Sequence, residues 1–241
     1  MDIFAVGTVV PSTDVEATYA LVNDPRQVAF LQHKCRIYGS PEGAIADVST
    51  PTHLRLALEE MAVGVAKGFL RLEASPAVSA SVNDLQEHTL VEEIIHELTG
   101  DKQHREGVVT WKLSSQRRDR LQIFRDLWER GYIVTFGSKF GADFLLYKDD
   151  PKHSHAVAQV VVRGYEEEFA RVDVVSFCRV AKMVKKRLMF ASVRSIDEGK
   201  NDEKKSRSNE SDASQWTSSN ITYVSLTHAL LVSRQEESGD Q

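Results

Sequence analysis

Apolar positions recur at strand or helix spacing in two stretches of the chain, and a polar stretch separates them. In the first stretch, residues 3–10 are rich in β-branched side chains and predict a strand. A Thr-Pro start followed by apolar residues at helical spacing predicts a helix over 50–68, and 69–72 predicts another strand. Residues 1–73 are therefore predicted to form a small N-terminal α+β domain.

The second apolar stretch, residues 112–234, predicts a larger domain. A serine that can cap a helix, followed by apolar residues at helical spacing, begins a predicted helix over 114–130. An amphipathic pattern predicts a second helix over 173–185. Five runs have strand character: 132–136, 143–147, 155–162, 187–193 and 221–232. This order predicts an α+β domain with a mixed central sheet flanked by helices.

Polar segments divide these predicted units. Residues 74–111 are acidic and polar with little sustained periodicity, which predicts a linker. Within the second domain, 195–219 is rich in Ser, Asp, Glu, Asn and Lys, so a flexible loop is expected there. Residues 235–241 form a polar tail.

Composition and charge narrow the class of protein. With 41% hydrophobic and 27% charged residues, the chain has the composition of an ordinary soluble protein. No apolar run is long enough to span a membrane, so no membrane contact is expected. The net charge is −5, but residues 112–194 hold 17 Lys and Arg against 10 Asp and Glu. A basic segment in an acidic chain favours contact with phosphate, and it also fits a solvated basic surface.

The sequence lacks the motifs of several common nucleotide-binding, catalytic and metal-binding sites. There is no G-x-x-x-x-G-K, no G-x-S-x-G, no H-E-x-x-H and no pair of C-x-x-C motifs. The two cysteines, Cys35 and Cys178, lie far apart and fit no metal or disulfide pattern. Neither a cofactor nor a metal is therefore expected.

Three residues at predicted strand ends form a workable set for cleaving RNA. Tyr147 ends one strand, His155 opens the next, and Lys186 stands where a further strand begins. Cleavage needs a base for the 2′-hydroxyl proton, a group that stabilises the phosphorane and an acid that protonates the leaving 5′-oxygen. Taken alone, each residue could also be an ordinary structural residue with no catalytic role. Tyr147 could be a strand-end tyrosine, His155 a polar turn residue like His153, and Lys186 part of a solvated helix end.

A longer pattern surrounds these three residues. Residues 124–147 read F-x-x-L-W-E-x-G-Y-x-V-T-x-G-x-K-F-G-x-D-F-L-x-Y, followed by Asp150-Pro151 and His155-Ala156. Residues 179–186 then read R-V-A-x-x-V-x-K. This pattern resembles the catalytic domain of the tRNA-intron endonucleases, and the eukaryotic subunit that cuts the 3′ splice site in particular. The N-terminal segment 35–40 also resembles that subunit.

The resemblance implies a function, a reaction and a set of partners. Tyr147, His155 and Lys186 would be catalytic, and the reaction would be metal-independent transesterification of pre-tRNA to 2′,3′-cyclic phosphate and 5′-hydroxyl ends. The protein would act in the nucleus, in a hetero-oligomer whose subunits pair through the C-terminal strand. Two alternatives stay open: a catalytically silent architectural subunit of the same complex, and a plain RNA-binding module.

The resemblance also implies a substrate clamp. Family members carry an arginine seven residues before the catalytic lysine and an aromatic residue in the last strand, and together these sandwich a nucleotide. Arg179 occupies the first position, and His228 stands where tryptophan is expected. Imidazole stacks on a base with less area than indole.

Overall fold

The computed structural model describes residues 4–10, 17–42, 53–74, 113–194 and 220–226. Over these residues the strands form two sheets, and helices pack beside them. This confirms the predicted α+β class. Residues 75–111 of the predicted linker, the predicted loop 195–219 and the tail 235–241 lie outside the described residues.

The first sheet is built from the N-terminal part of the chain. Its strands run in the order β3-β4-β2-β1-β5, antiparallel except for the parallel pair β1 and β5. The elements are β1 (Ala5–Val10), β2 (Tyr19–Val22), α1 (Pro25–His33), β3 (Ser40–Glu42), β4 (His53–Leu56), α2 (Leu58–Ala66) and β5 (Leu70–Ala74). The predicted strands 3–10 and 69–72 are confirmed as β1 and β5.

The predicted helix over 50–68 is wrong over 53–56, and its first three residues lie outside the described residues. His53–Leu56 is a strand, and helix α2 begins only at Leu58. Leu54 and Leu56 are buried while the residues that alternate with them are exposed, which is a strand period. The four-residue spacing of Leu54 and Leu58 resembles a helical period only because Leu54 lies on the buried face of the strand and Leu58 begins the helix.

The second sheet is built from the C-terminal part. Its order is β10-β9-β8-β7-β6, with β8 and β9 parallel and the other neighbours antiparallel. The elements are α3 (Ser115–Glu129), β6 (Ile133–Phe136), β7 (Phe144–Tyr147), β8 (Ala158–Val162), α4 (Arg171–Met183), β9 (Arg187–Val193) and β10 (Ile221–Leu226). Both predicted helices and all five predicted strands are present as far as the described residues reach, but the strand predicted to open at His155 begins only at Ala158.

Helices α3 and α4 cover opposite faces of this second sheet. Val160 and Val162 on β8 belong to the core that contains Phe124 of α3. Val161, which points the other way, belongs to a smaller cluster with Ala181 of α4. Side chains of the first sheet join the larger core, so both sheets share it.

In the described part of the chain, no helix is both long and apolar enough to cross a membrane.

Candidate active site

Strands β7, β8 and β9 share one end of the second sheet. Ala158, the first residue of β8, lies opposite Leu146 of antiparallel β7 and opposite Arg187 of parallel β9. The end of β7 therefore meets the beginnings of β8 and β9, with adjacent strands about 5 Å apart. We call this end of the sheet the active-site edge.

The three predicted catalytic residues all lie at the active-site edge. Tyr147 is the last residue of β7 and is half-buried. His155 is exposed and lies just before β8, and Lys186 is half-buried and immediately precedes β9. The fold thus brings together a phenol, an imidazole and an ammonium from three separate segments of the chain.

The end of helix α4 fixes where Lys186 enters the sheet. The Lys186 N–H donates to the carbonyl of Ala181 (2.9 Å), a closing bond that requires Lys185 to take a left-handed conformation (φ 52°). The Lys186 ammonium donates to the Val184 carbonyl (3.3 Å) and lies 5.6 Å from the centre of the Phe140 ring. These contacts hold the ammonium close to the sheet.

A hydrogen-bonded turn carries His155 to the active-site edge. The Asp150 carboxylate accepts from the Lys152 N–H (2.8 Å), in the manner typical of an aspartate that starts a turn. The Asp150 carbonyl accepts from the N–H groups of His153 (3.0 Å) and Ser154 (2.9 Å). The turn therefore holds its own backbone, and it exposes both histidines to solvent.

The charge state of Asp150 is set by this turn and by a residue of the segment that follows α1. Burial by itself raises the pKa of the Asp150 carboxyl, but hydrogen bonds from the Lys152 N–H and the Tyr38 hydroxyl, with the charges of His153 and Lys152, hold it below its usual value. Burial and the contact with Asp150 raise the pKa of Tyr38 to about 12. The lowered pKa keeps Asp150 a carboxylate.

Cationic side chains outnumber acidic ones around the active-site edge. The exposed cationic residues of the segments that end there are Lys148, Lys152, Lys185 and Arg187. Asp149 and Asp150 are the acidic residues in the same segments. The excess of positive charge favours the binding of a phosphate backbone.

The structure describes only one of the two residues of the predicted clamp. Arg179 is exposed on α4, where a ligand can reach it. His228 lies outside the described residues. The clamp therefore stays a prediction.

Other residues of the recognised pattern support the fold. The Trp128 indole donates to the Cys35 carbonyl (2.9 Å), which ties α3 to the segment that follows α1. The Asp143 carboxylate accepts from the Val162 N–H (2.7 Å) and pairs with Arg120. Gly131 has φ 94°, a value that L side chains rarely adopt, where the chain leaves α3.

Sequence reasoning missed the residues on α1 and in the segment after it that reach the turn before His155. Besides the Tyr38 contact, Gln32 accepts from the Lys152 ammonium (3.4 Å). These residues are far apart in sequence, and no local pattern connects them. The resemblance of segment 35–40 was the one signal that this part of the chain bears on the site.

Among the described residues, no group of three or more His, Cys, Asp or Glu is arranged to hold a metal ion.

Comparisons with known proteins place these residues in a family. Residues 118–201 match the model of the tRNA intron endonuclease catalytic C-terminal domain, a range that contains Tyr147, His155 and Lys186. The tRNA-splicing endonuclease subunit Sen34 of Mus musculus is 41% identical over 75 residues, which are 30% of this chain and 23% of that protein. The tRNA-splicing endonuclease of Saccharolobus solfataricus is 40% identical over 78 residues, which are 32% of this chain and 43% of that protein.

The human Sen34 subunit gives a similar result, with 40% identity over 75 residues, 30% of this chain and 24% of that protein. The matched part of the chain thus spans less than half the length of each of these relatives. The family match and the geometry of the strand ends agree on the same segment. Residues 118–201 of this chain are therefore similar to the catalytic C-terminal domain of the tRNA intron endonuclease family.

Proposed function

We propose that this chain is the catalytic subunit of a tRNA-splicing endonuclease that cleaves pre-tRNA at an intron junction, the 3′ splice site, in the nucleus. One observation carries the proposal: Tyr147, His155 and Lys186 lie at the same end of three adjacent strands. The names of the Sen34 relatives support the assignment to a splicing subunit.

The proposed reaction is transesterification within the RNA. Tyr147 takes the proton of the 2′-hydroxyl, and the 2′-oxygen attacks the adjacent phosphorus. Lys186 stabilises the negative charge of the phosphorane, and His155 gives a proton to the 5′-oxygen as its bond to phosphorus breaks. The products are a 2′,3′-cyclic phosphate and a 5′-hydroxyl, and the three side chains supply each step without a metal.

The exposed cations of the active-site edge support the binding step. Lys148 and Lys152 flank the turn before His155, and Lys185 and Arg187 flank Lys186. Such contacts hold the RNA backbone and are sensitive to salt, so substrate affinity is expected to fall as ionic strength rises.

The clamp extends the proposal to substrate positioning. Arg179 on α4 and His228 would hold one nucleotide between a guanidinium and an imidazole. If they do, His228→Trp is tolerated because indole offers a larger stacking face. His228→Ala should weaken RNA binding by about 1–3 kcal/mol, the worth of one base–aromatic stack.

Partner subunits are proposed to pair with strand β10. β10 pairs with β9 on one side and forms the edge of the sheet over the described residues. Val224 on this strand is 51% exposed, whereas the Tyr223 side chain packs into the core. An edge strand with an exposed apolar residue is suited to pairing with another chain.

The partner proposal is best tested with Val224→Asp. Deleting residues from 221 onward would also remove Ile221 and Tyr223 from the core and confuse misfolding with lost assembly. The aspartate places a charge on the outer surface and leaves those two residues in place. Co-purification of the variant with partner subunits in unchanged yield would show that the interface lies elsewhere.

A cleavage assay separates the proposed function from its rivals. Full-length protein, with and without partner subunits, is mixed with intron-containing pre-tRNA in EDTA, and the product ends are analysed. Cleavage that leaves a 2′,3′-cyclic phosphate supports the proposal. Binding without cleavage by this chain indicates an RNA-binding module or an architectural subunit, and activity that returns only with Mg²⁺ refutes the mechanism.

A further inference from the structure

The segment that follows α1 is joined to that helix and fixed against helix α3. The Ile37 N–H donates to the Leu31 carbonyl of α1 (3.0 Å). The Cys35 carbonyl accepts from the Trp128 indole (2.9 Å), and Arg36 donates to the Trp128 carbonyl (3.0 Å). Arg36 also has φ 59°, a left-handed conformation that persists only where the surroundings determine it. The end of α1 and the segment after it are therefore held in one place.

Gln32, in the last turn of α1, is a buried polar residue whose amide is hydrogen-bonded at both ends. It is 4% exposed. Its amide nitrogen donates to the Tyr38 carbonyl (3.3 Å), and its amide oxygen accepts from the Lys152 ammonium (3.4 Å). Because a carbonyl can only accept, the first bond fixes which end of the amide faces Lys152. Gln32 thus presents an acceptor to the turn before His155.

Lys152 is the residue of the turn that this acceptor holds. It lies three residues before His155 and is exposed. Its N–H donates to the Asp150 carboxylate (2.8 Å), so its backbone and its ammonium each have a contact that fixes them. A lysine side chain otherwise samples many rotamers, and holding it before the substrate arrives lowers the cost of binding.

The chemistry of the acceptor suits a lysine that binds an anion. An amide oxygen orients an ammonium without neutralising it, whereas Arg120 and Arg125 of α3 pair with carboxylates. Lys148 opens the same turn, but among the described residues no hydrogen bond or ion pair holds its ammonium. Of these two turn lysines, Lys152 is the one that a buried group of the N-terminal part orients.

We propose that Gln32 is a positioning residue for substrate binding, which holds the Lys152 ammonium at the active-site edge to meet a phosphate of the RNA backbone beside His155. This inference rests on the proposed function, since it takes pre-tRNA as the substrate. It gives the N-terminal part of the chain a task in substrate binding without contact with the RNA.

The first test removes the Gln32 amide alone. Gln32→Met keeps the length of the buried side chain. Binding of full-length protein is measured with pre-tRNA that carries a 2′-deoxynucleotide at the 3′ splice junction, which this reaction cannot cleave. The dissociation constant should rise about 3- to 10-fold, toward that of a chain that lacks one phosphate contact.

Gln27→Met is the matched control for this binding measurement. Gln27 lies on the same helix, and its amide oxygen accepts from the Val6 N–H (2.8 Å) and not from the turn. Its variant should bind the RNA as the wild type does. A dissociation constant that rises equally in both variants, or in neither, would overturn the proposal.

Steady-state kinetics separate the positioning of Lys152 from a displacement of the catalytic groups. With cleavable pre-tRNA, Gln32→Met should raise KM about 3- to 10-fold and leave kcat within about twofold, because the change affects binding and not the reacting atoms. A lower kcat at unchanged KM would mean that Gln32 acts on the catalytic groups, which contradicts the proposed role.

Two double variants test whether Gln32 acts through Lys152. In a Lys152→Met chain, Gln32→Met should change the dissociation constant by less than about twofold, because the lysine that it holds is gone. In a Lys148→Met chain the two losses should multiply, since Lys148 is a separate contact. Losses that multiply with Lys152→Met would refute the positioning role.

A further measurement needs no RNA. The lysines of full-length protein are labelled with an acetylating reagent, and the rate at each is read by mass spectrometry. In Gln32→Met the rate at Lys152 should rise about two- to threefold, because the ammonium loses its acceptor, and the rate at Lys148 should stay the same. An unchanged rate at Lys152 would show that Gln32 does not hold it.

The outcomes distinguish this inference from the proposed function. If the wild type neither binds nor cleaves pre-tRNA, the proposed function fails and the role of Gln32 fails with it. If the wild type cleaves pre-tRNA and Gln32→Met binds it equally well, the proposed function stands and the positioning role alone is refuted. Melting temperatures of Gln32→Met and Gln27→Met identify any loss that comes from unfolding.

Discussion

The two faces of the second sheet are packed very differently. On one face, helix α3 buries Phe124 and Leu127 almost completely, at 0% and 1% exposure. On the other face, helix α4 buries Ala181, while Val172 and Met183 on its outer side are 67% and 82% exposed. The α3 face therefore supplies most of the hydrophobic stabilisation of this sheet, since that term scales with the apolar area removed from water.

The hydrogen bonding of two buried polar side chains, Asp126 and Gln159, also differs between the two faces. Beneath α3, the buried Asp126 carboxylate accepts from the Tyr223 hydroxyl (2.6 Å) and pairs with Arg130. On β8, Gln159 points to the α4 face and is fully buried, and neither atom of its amide has a hydrogen-bond partner among the described residues. The Asp126 carboxylate on the α3 face thus has hydrogen-bond partners, whereas the Gln159 amide on the α4 face has none among the described residues.

The active-site edge belongs to the less well packed face. Leu146 of β7 lies in the α3 core, so Tyr147, the next residue, points to the α4 side. This arrangement separates stability from function: changes on the α3 face should cost folding energy, and changes at the active-site edge should cost activity. Four substitutions test that separation.

The largest effect is expected at the active-site edge. His155→Ala should reduce cleavage about 10²- to 10⁴-fold, because the leaving 5′-oxygen loses its proton donor. RNA binding and the free energy of unfolding should stay close to wild type, since His155 is exposed. His153→Ala, in the same turn, is the control for a general loss of charge. Cleavage by His155→Ala within about threefold of wild type would move the acid role to His153.

The next effect is a loss of stability on the α3 face. Phe124→Ala should lower the free energy of unfolding by about 3–5 kcal/mol, because the ring packs against Phe136 and Phe144 in the core. Phe177→Ala is the matched change on α4, where the ring is half-buried and contacts Phe190. Denaturant unfolding of both variants should give Phe177→Ala less than half the loss. Equal losses would show that the two faces contribute equally to stability.

These two faces also show what the sequence could and could not predict. The periodicity of 114–130 and the cap at Ser114 predicted α3 correctly, because its apolar stripe is wide and the serine accepts from the Arg117 N–H (3.2 Å). The strand that ends at Tyr147 was predicted because its apolar run follows a turn with Gly137 and Gly141, and Lys186 was placed where the next apolar run begins.

Contacts between distant segments could not be predicted from local patterns. Gln32 and Lys152 are 120 residues apart, and nothing in the spacing of either segment connects them. The strand His53–Leu56 was missed for a related reason: its buried leucines find their partners on β2 and β3, so its period is set by pairing. Family resemblance predicted the catalytic residues, and only the fold showed which segments surround them.

A smaller effect is expected from the satisfied polar pair on the α3 face. Tyr223→Phe removes the hydroxyl that donates to the buried Asp126 carboxylate and should lower the free energy of unfolding by about 1–3 kcal/mol. Tyr165→Phe is the control, because Tyr165 is 41% exposed and its loss of a hydroxyl should change stability by less than about 0.5 kcal/mol. A Tyr223→Phe variant as stable as the control would mean that Asp126 is satisfied by Arg130 alone.

The smallest effect should have the opposite sign, because it removes a polar group that has no partner. Gln159→Met keeps the length of the side chain and replaces the buried amide with an apolar group. An unbonded buried amide destabilises the folded state, so the variant should gain about 1 kcal/mol in the free energy of unfolding. Cleavage should stay at the wild-type rate, since Gln159 lies within β8 rather than at its end. Chemical unfolding and the pre-tRNA assay on the same sample check both points. A loss of stability would show that the amide has a partner in solution, and a loss of cleavage at unchanged stability would extend the active site along β8 beneath α4.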